Sequence, residues 1–389
     1  MKVTYIGHAC MIMESGGTRI LMDPWLTDPA YHNTWWHFPP LEVGPRDLPK
    51  IDYLYISHEH ADHFDPPTLQ QLDKDIKIII AKYKKRRFYE RIREIGFHNI
   101  TELEFGQTHA LNGGGMTVRL IPPDRPWDDS AILVKDAENT VLNVNDCHLD
   151  DATLDRLGRE ERIDLAFLTF TGASQYPGCF EFPMASKIER WRASKESHVE
   201  EFVNWARLLR TKQAVPAAGN FALLAPDQMN PGDVWNSDGS LIRLKPPPDW
   251  SRRMEQIEAL SQQHRARIAE AFASEPAAPA NLYDLFHSYF TGLLSADPSL
   301  AKRIGIVTWW VVDGPYGGDW VIDFTRSKDW VYRGVPENWN LRLKWPAGLV
   351  YQGVACNGIW DDLVLSFRVR LARNPDRYNK EFWTWLCKL

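Results

Sequence analysis

Short apolar runs broken by turn residues dominate residues 1–170. Val3 to Ile6 and Cys10 to Met13 read as strands, and Gly16-Gly17 supplies a hairpin turn before a third strand, Arg19 to Met22, which stops at Asp23-Pro24. Residues 28–50, rich in Pro, Trp and Asn, predict a long loop, and such loops in compact domains are often functional. Asp52 to Ile56 is strand-like and leads directly into a His/Asp cluster; Pro66 to Leu72 reads as a helix start. Ile76 to Ile80 predicts a strand and Lys82 to Ile95 a basic amphipathic helix, so strand and helix alternate as in an α/β unit. Thr117 to Ile121, Ala131 to Val134, Val141 to Val144 and Ile163 to Phe170 are further strands.

Beyond residue 170 the texture changes. Ser186 to Leu209 reads as a charged helix, residues 226–250 as a loop excursion rich in Pro, Asp, Gly and Asn, and Ser251 to Ser274 as a long helix. Ile306 to Val312, Trp320 to Phe324 and Asn340 to Leu343 then read as strands, and Leu349 to Val354, Asp361 to Ala372 and Tyr378 to Leu386 as helices. The expected division is a first domain at 1–225, a loop and helical insertion at 226–299 and a C-terminal α+β domain at 300–389.

Composition narrows the class. At 44% hydrophobic the chain has ample material for a core, and a net charge of −6 carries none of the basic footprint of a nucleic-acid binder. The five cysteines are scattered without a CxxC pair, which excludes a disulfide framework and a zinc knuckle. The first residues lack a signal peptide's features, and no apolar run approaches the ~20 residues of a membrane helix, so no membrane partner and a cytoplasmic location are expected. The 17 Trp either line a large pocket or fill the core.

The chemistry concentrates in Ser57-His58-Glu59-His60-Ala61-Asp62-His63. Alternate residues of an extended stretch point the same way, so His58 and His60 grip one ion; Asp62 and His63 follow as the chain turns and reach a second. Imidazole suits zinc or iron, and carboxylate suits harder ions such as iron or manganese.

This HxHxDH spacing resembles the metallo-β-lactamase superfamily. Gly7-His8-Ala9 and Leu21-Met22-Asp23-Pro24 resemble the opening strands of its lactonase and phospholipase-D-type branch, and Val144-Asn145-Asp146 lies where the family carries a metal-bridging aspartate. The resemblance implies an α/β fold, an αββα sandwich with the site at one edge of its sheets. Two departures stand out. Where the family places a fourth His after a strand, this chain has Pro122 to Asp129, with Asp124, Asp128 and Asp129 but no His. Where the family places a late His, Val215 to Phe221 has none; His148 either compensates or is a surface residue. Carboxylate in place of imidazole hardens the site and favours iron in an oxygen-activating role over zinc hydrolysis.

Several segments are more specifically similar to the non-Rieske part of the CMP-N-acetylneuraminate hydroxylases: Leu142 to Cys147, Gly172-Ala173-Ser174 with Tyr176-Pro177, Pro216 to Phe221, Asn357 to Leu363, Arg370 to Tyr378 and Phe382-Trp383. Those enzymes also carry a Rieske domain, whose Cys-x-His and Cys-x-x-His ligands this sequence does not contain. A separate electron-transfer protein is therefore the expected partner, or a different reductant. Residues 300–389 also resemble a sterol-carrier-protein-like module.

Other features keep two readings. The basic run Lys82 to Arg93 meets an anionic partner or is a solvated helix face. Trp35-Trp36-His37 roofs the site or packs on the core, Cys147 is a small buried residue or a ligand, and Tyr176 reaches the site or does not. The expected function is a non-haem iron oxygenase acting on a small polar metabolite. His58, His60 and an acid, Asp124 foremost and Asp129 also a candidate, would hold the first iron; Asp62, His63 and His148 would hold the second, with Asp146 shared. The alternatives are a metal-dependent hydrolase, with zinc or manganese and a water placed by Asp62, and a binding protein that kept only the fold.

Overall fold

A computed structural model describes residues 1–171, 174–224 and 252–389. Gly172-Ala173, the expected loop excursion at 226–250 and the first residue of the expected helix from Ser251 lie outside the described residues.

The N-terminal meander β1 (Lys2–Gly7), β2 (Cys10–Ser15) and β3 (Thr18–Met22) forms as expected, its second turn made by Gly16 and Gly17, both at positive φ. A short strand, β4 (Trp35–His37), interrupts the long loop that follows. Then β5 (Tyr53–Tyr55), α1 (Pro66–Leu69), β6 (Lys77–Ala81), α2 (Arg87–Glu94) and β7 (Ile100–Leu103) extend the sheet in parallel, in the order β1-β2-β3-β5-β6-β7. The second sheet begins with antiparallel β8 (Thr108–Leu111), β9 (Met116–Ile121), β10 (Ala131–Lys135) and β11 (Thr140–Asn143). It continues in parallel through α3 (Asp151–Glu160), β12 (Leu165–Thr169), α4 (Met184–Leu208) and β13 (Gln213–Ala217). Met11, Met13, Ile20 and Tyr55 of one sheet pack against Val118, Leu120, Ile132 and Val134 of the other, with helices on both outer faces. This is the expected αββα sandwich.

A third layer closes the molecule. After β14 (Phe221–Leu223), which pairs with β4, come α5 (Arg253–Ala273), α6 (Leu282–Ala296) and α7 (Pro298–Ile304). A five-stranded sheet follows from β15 (Val307–Asp313), β16 (Gly318–Asp323), β17 (Val331–Arg333), β18 (Leu341–Pro346) and β19 (Arg370–Arg373). The helices α8 (Ala347–Ala355), α9 (Trp360–Leu365) and α10 (Lys380–Leu386) pack with it. Trp310, Trp320, Trp345 and Trp360 are fully buried there, in one core that also takes Trp25, Tyr31 and Trp35 from the long loop. Trp35-Trp36-His37 is thus core-packed, and the Trp35 indole donates to the Leu365 carbonyl at 2.8 Å.

Two elements depart from expectation. The helix expected from Lys82 starts at Arg87, because the Lys82 N–H still pairs with Leu103 and the cations ahead of the helix reach outward to Glu102 and Glu104. The helix expected over Asp361 to Ala372 ends at Leu365; Phe367 turns left-handed at φ 57°, and Arg370–Arg373 joins the edge of the C-terminal sheet beside β18. Tertiary pairing there overrides helical periodicity.

Candidate metal centre

The C-terminal ends of β3, β5 and β11 meet at one edge of the sandwich, where open α/β sheets commonly bind ligands. At the end of β3, Asp23 takes a left-handed φ of 41° and aims its carboxylate at the start of the His/Asp segment. It accepts from the Ser57 backbone N–H at 2.7 Å and from the Ser57 hydroxyl at 2.9 Å, fixing where the chain leaves β5. The segment then coils, with His63 and Phe64 donating to the His60 carbonyl, and this turn brings His58, His60, Asp62 and His63 to one side.

Each of the three imidazoles has a carboxylate behind it. His58 Nδ1 lies 3.3 Å from Asp129, His60 Nε2 lies 2.9 Å from Asp361, and His63 Nδ1 lies 3.0 Å from Asp23. The opposite nitrogens face inward. His58 Nε2 is 2.8 Å from His60 Nδ1, and His63 Nε2 is 3.4 Å from Asp146 and 3.6 Å from Asp62. The Ser57 hydroxyl also lies 2.9 Å from His58 Nδ1. Polar groups that hold the outer N–H of a ring leave the inner lone pair free to ligate, which is how proteins orient metal-binding histidines.

The inner group wants positive charge. Burial alone would lower the pKa of His60, yet the hydrogen bond and charge of Asp361 outweigh it and push that pKa up to about 10. His63 is likewise raised, against burial, by Asp62, Asp146 and Asp23. Burial would raise Asp62, but the positive charge of His63 and the hydrogen bond from His8 hold it below the usual carboxylate range. A bound cation meets the same demand. Two ligands on one ion, each with a bond of about 2.1 Å, stand ~3.0–3.4 Å apart. The inward separations approach that spacing, and the buried His63 Nε2 meets Asp146 only at 3.4 Å among the described residues. His58, His63 and Asp146 bring donor atoms within 4.8 Å of one another. The residues present therefore fit a metal ion.

The other expected residues are placed as follows. Asp129 is buried beside His58 but on its outer nitrogen. The structure does not bring Asp124 to the imidazoles: it is exposed, its carboxylate accepts from the Asp150 N–H at 2.8 Å, and its backbone N–H donates to the His148 carbonyl. Asp128 is also exposed. His148 is half-buried against Trp205 and joins no donor group, because the chain carries it past Asp146 onto the α4 side. Burial pushes the Cys147 thiol well up, as for a small core residue. Tyr176 packs on Phe180 and Phe182 and binds Arg190 rather than an imidazole.

Sequence reasoning missed four contributors: His8, Asp23, Tyr31 and Asp361. His8 Nε2 lies 2.7 Å from Asp62 Oδ2, and the Tyr31 hydroxyl donates to Asp62 Oδ1 at 2.5 Å. His8 and Asp23 each follow a strand in a short turn, a position that signals them in retrospect; Asp361 meets His60 across 301 residues and has no local signal.

Residues 2–162 match a family model described as the beta-lactamase superfamily domain. Across 432 aligned positions the chain is 28% identical to the cytidine monophosphate-N-acetylneuraminic acid hydroxylase of Mus musculus, with 98% of this chain and 73% of that protein covered. It is 33% identical over 236 residues to a protein of Mycolicibacterium smegmatis named for a Rieske 2Fe-2S iron-sulfur centre, covering 58% of this chain. The chain spans only about half the length of that relative, 45%. Among solved structures, CmlA, a diiron beta-hydroxylase from Streptomyces venezuelae, aligns at 20% identity and a TM-score of 0.40, over 55% of this chain and 44% of that one. No described helix is long and apolar enough to cross a membrane.

Proposed function

We propose that this protein is a non-haem iron oxygenase that hydroxylates or otherwise oxidises a small polar metabolite. The observation that carries the reading is the inward donor group: the imidazoles of His58 and His63 gathered with Asp62 and Asp146, His60 Nδ1 turned onto His58 Nε2, and a carboxylate near the outer nitrogen of each ring. Two imidazoles and a carboxylate with open positions suit iron, and thiolate is absent from the group. Similarity along 98% of the chain to proteins named as hydroxylases supports the same reading.

His58 and His60 would hold one ion, Asp62 and His63 a second, and Asp146 would stand between them. Iron bound there would supply the electron-transfer chemistry that oxygen activation needs. The protein's own part is to fix the ligands. Asp361 and Asp23 hold the outer nitrogens of His60 and His63, the Ser57 hydroxyl with Asp129 close by holds that of His58, and Tyr31 holds Asp62 in one orientation. Hydroxylation of R–H consumes one O2, two electrons and two protons and yields R–OH and water. The electrons would come from a separate protein with an iron–sulfur centre, a role to which the name of the mycobacterial relative points.

The test is metal analysis of protein purified without added metal, followed by 18O2 incorporation assays with a reduced [2Fe-2S] protein as donor. The sugar nucleotide in the hydroxylases' name is the first compound to try. About two irons per chain and one 18O in the product support the oxygenase. Two zincs with hydrolysis of esters, lactones or phosphodiesters make the protein a hydrolase of the same fold, and absence of any metal leaves only a binding protein.

A further inference from the structure

His8 is built into the centre with a care that packing alone does not require. It occupies the two-residue turn between β1 and β2 at φ 52°, a left-handed conformation that costs a non-glycine residue about 1 kcal/mol or more. Two donors hold its carbonyl: the Tyr5 hydroxyl at 2.5 Å and the Ala218 backbone N–H at 2.9 Å. Ala218 belongs to the stretch where the resembled family places a late His and this chain has none; that stretch supplies the backbone clamp on His8 instead. The ring is 1% exposed, with Trp25, Trp35 and Phe221 edge-on around it at centroid distances of 5.1, 6.3 and 6.2 Å. These aromatic walls keep water from the imidazole. Among the described residues, the ring's one polar contact is Asp62, at 2.7 Å from Nε2, and Nδ1 has no hydrogen-bond partner.

Resting on the two-ion reading above, we infer that His8 is a direct ligand of the second ion. His8, Asp62 and His63 bring donor atoms within 4.8 Å of one another, a group that overlaps the His58, His63 and Asp146 group only at His63. Without His8 the second position has Asp62, His63 and the shared Asp146, two of them anionic. A neutral imidazole adds the missing donor without adding charge. The His8–Asp62 contact resembles the 2.8 Å contact of His58 with His60: two donors turned toward each other at nearly the spacing that a common ion imposes. The left-handed backbone then has a reason, since it delivers the ring of a residue at the end of β1 to a site otherwise built from β5 and β11.

The test uses the full chain, stripped of metal and reloaded with Co2+ alone. Cobalt is counted after gel filtration, and its visible ligand-field absorption is recorded. The variant is His8→Gln, whose amide still donates to Asp62 but offers no imidazole. The unaltered chain should retain two cobalt ions and the variant one, with absorption reduced by about half. Retention of two ions by His8→Gln, or of one by the unaltered chain, overturns the inference. No cobalt in the unaltered chain sinks the metal reading as well, which separates the two failures. Should His8→Gln not fold, anomalous diffraction from cobalt-loaded crystals of the unaltered chain decides: an ion within about 2.3 Å of a His8 ring nitrogen upholds the assignment, and one bound to Asp62 and His63 but beyond ~3 Å from His8 overturns it.

Discussion

At the scale of single residues, the carboxylates behind the imidazoles matter as much as the rings. Asp23 anchors both the Ser57 backbone and His63, so Asp23→Asn removes a charge while keeping the shape. We expect metal affinity to fall ~10–100-fold, the usual effect of losing such a partner, measured by competition with a chromophoric chelator. An unchanged affinity would show that Asp23 serves the turn alone. His32 offers a test of pH-linked stability away from the ligands. Burial, then the nearby positive charge of Arg368, lowers its pKa to about 4 from the ordinary 6.5 of a free imidazole, against an opposing hydrogen bond to Gln352. The folded protein therefore favours neutral His32. Its contribution is complete above pH 6.5 and is lost as pH falls through 6.5 toward 4, where the unfolded chain binds the proton more readily. Urea midpoints at pH 7, 5.5 and 4 should fall less steeply for His32→Asn, a residue that also tolerates the local φ of 53°. Parallel pH profiles would refute this.

At the scale of elements, close helix packing sets how the outer layer sits on the second sheet. A Cβ at Gly158 in α3 would lie 2.2 Å from the Leu208 carbonyl oxygen and 2.8 Å from the Leu209 Cα, both backbone atoms at the end of α4. Gly158→Ala must push the helices apart, and overpacking of this kind costs typically 1–3 kcal/mol. Urea unfolding should show a lower midpoint, and a wild-type midpoint would mean that α4 is free to slide. The helix α9 has a second duty. It projects Asp361 onto His60 while its neighbour Asp362 is buried and pushed by that burial up to about 7. Asp361→Asn should weaken cobalt binding roughly tenfold or more while leaving the circular dichroism spectrum intact. If affinity does not change, α9 only packs.

At the scale of the whole molecule, the site draws on residues from 8 to 361 and so exists only when the sandwich and the C-terminal layer are both folded. Ions that bind this state and not the unfolded chain must stabilise it, by ~2.7 kcal/mol at a hundred times Kd. Added Fe2+ or Co2+ should raise the melting temperature and a chelator should reverse the rise; no shift would argue against a preformed site. The sequence alone determined what is local: strand and turn patterning and the HxHxDH segment, whose period and turn residues need no distant partner; the αββα class came from the family resemblance those motifs carry. It pointed to an acid near 124–129 but not to which one, because Asp124 and Asp129 differ only in where a loop turns. Only the tertiary structure decided that Asp129 stands behind His58, that Arg370–Arg373 becomes a strand, and that His8 and Asp361 enter the centre. The reason is physical. Ligand geometry is fixed by packing and electrostatics among side chains far apart in the chain, and linear periodicity carries no trace of those contacts.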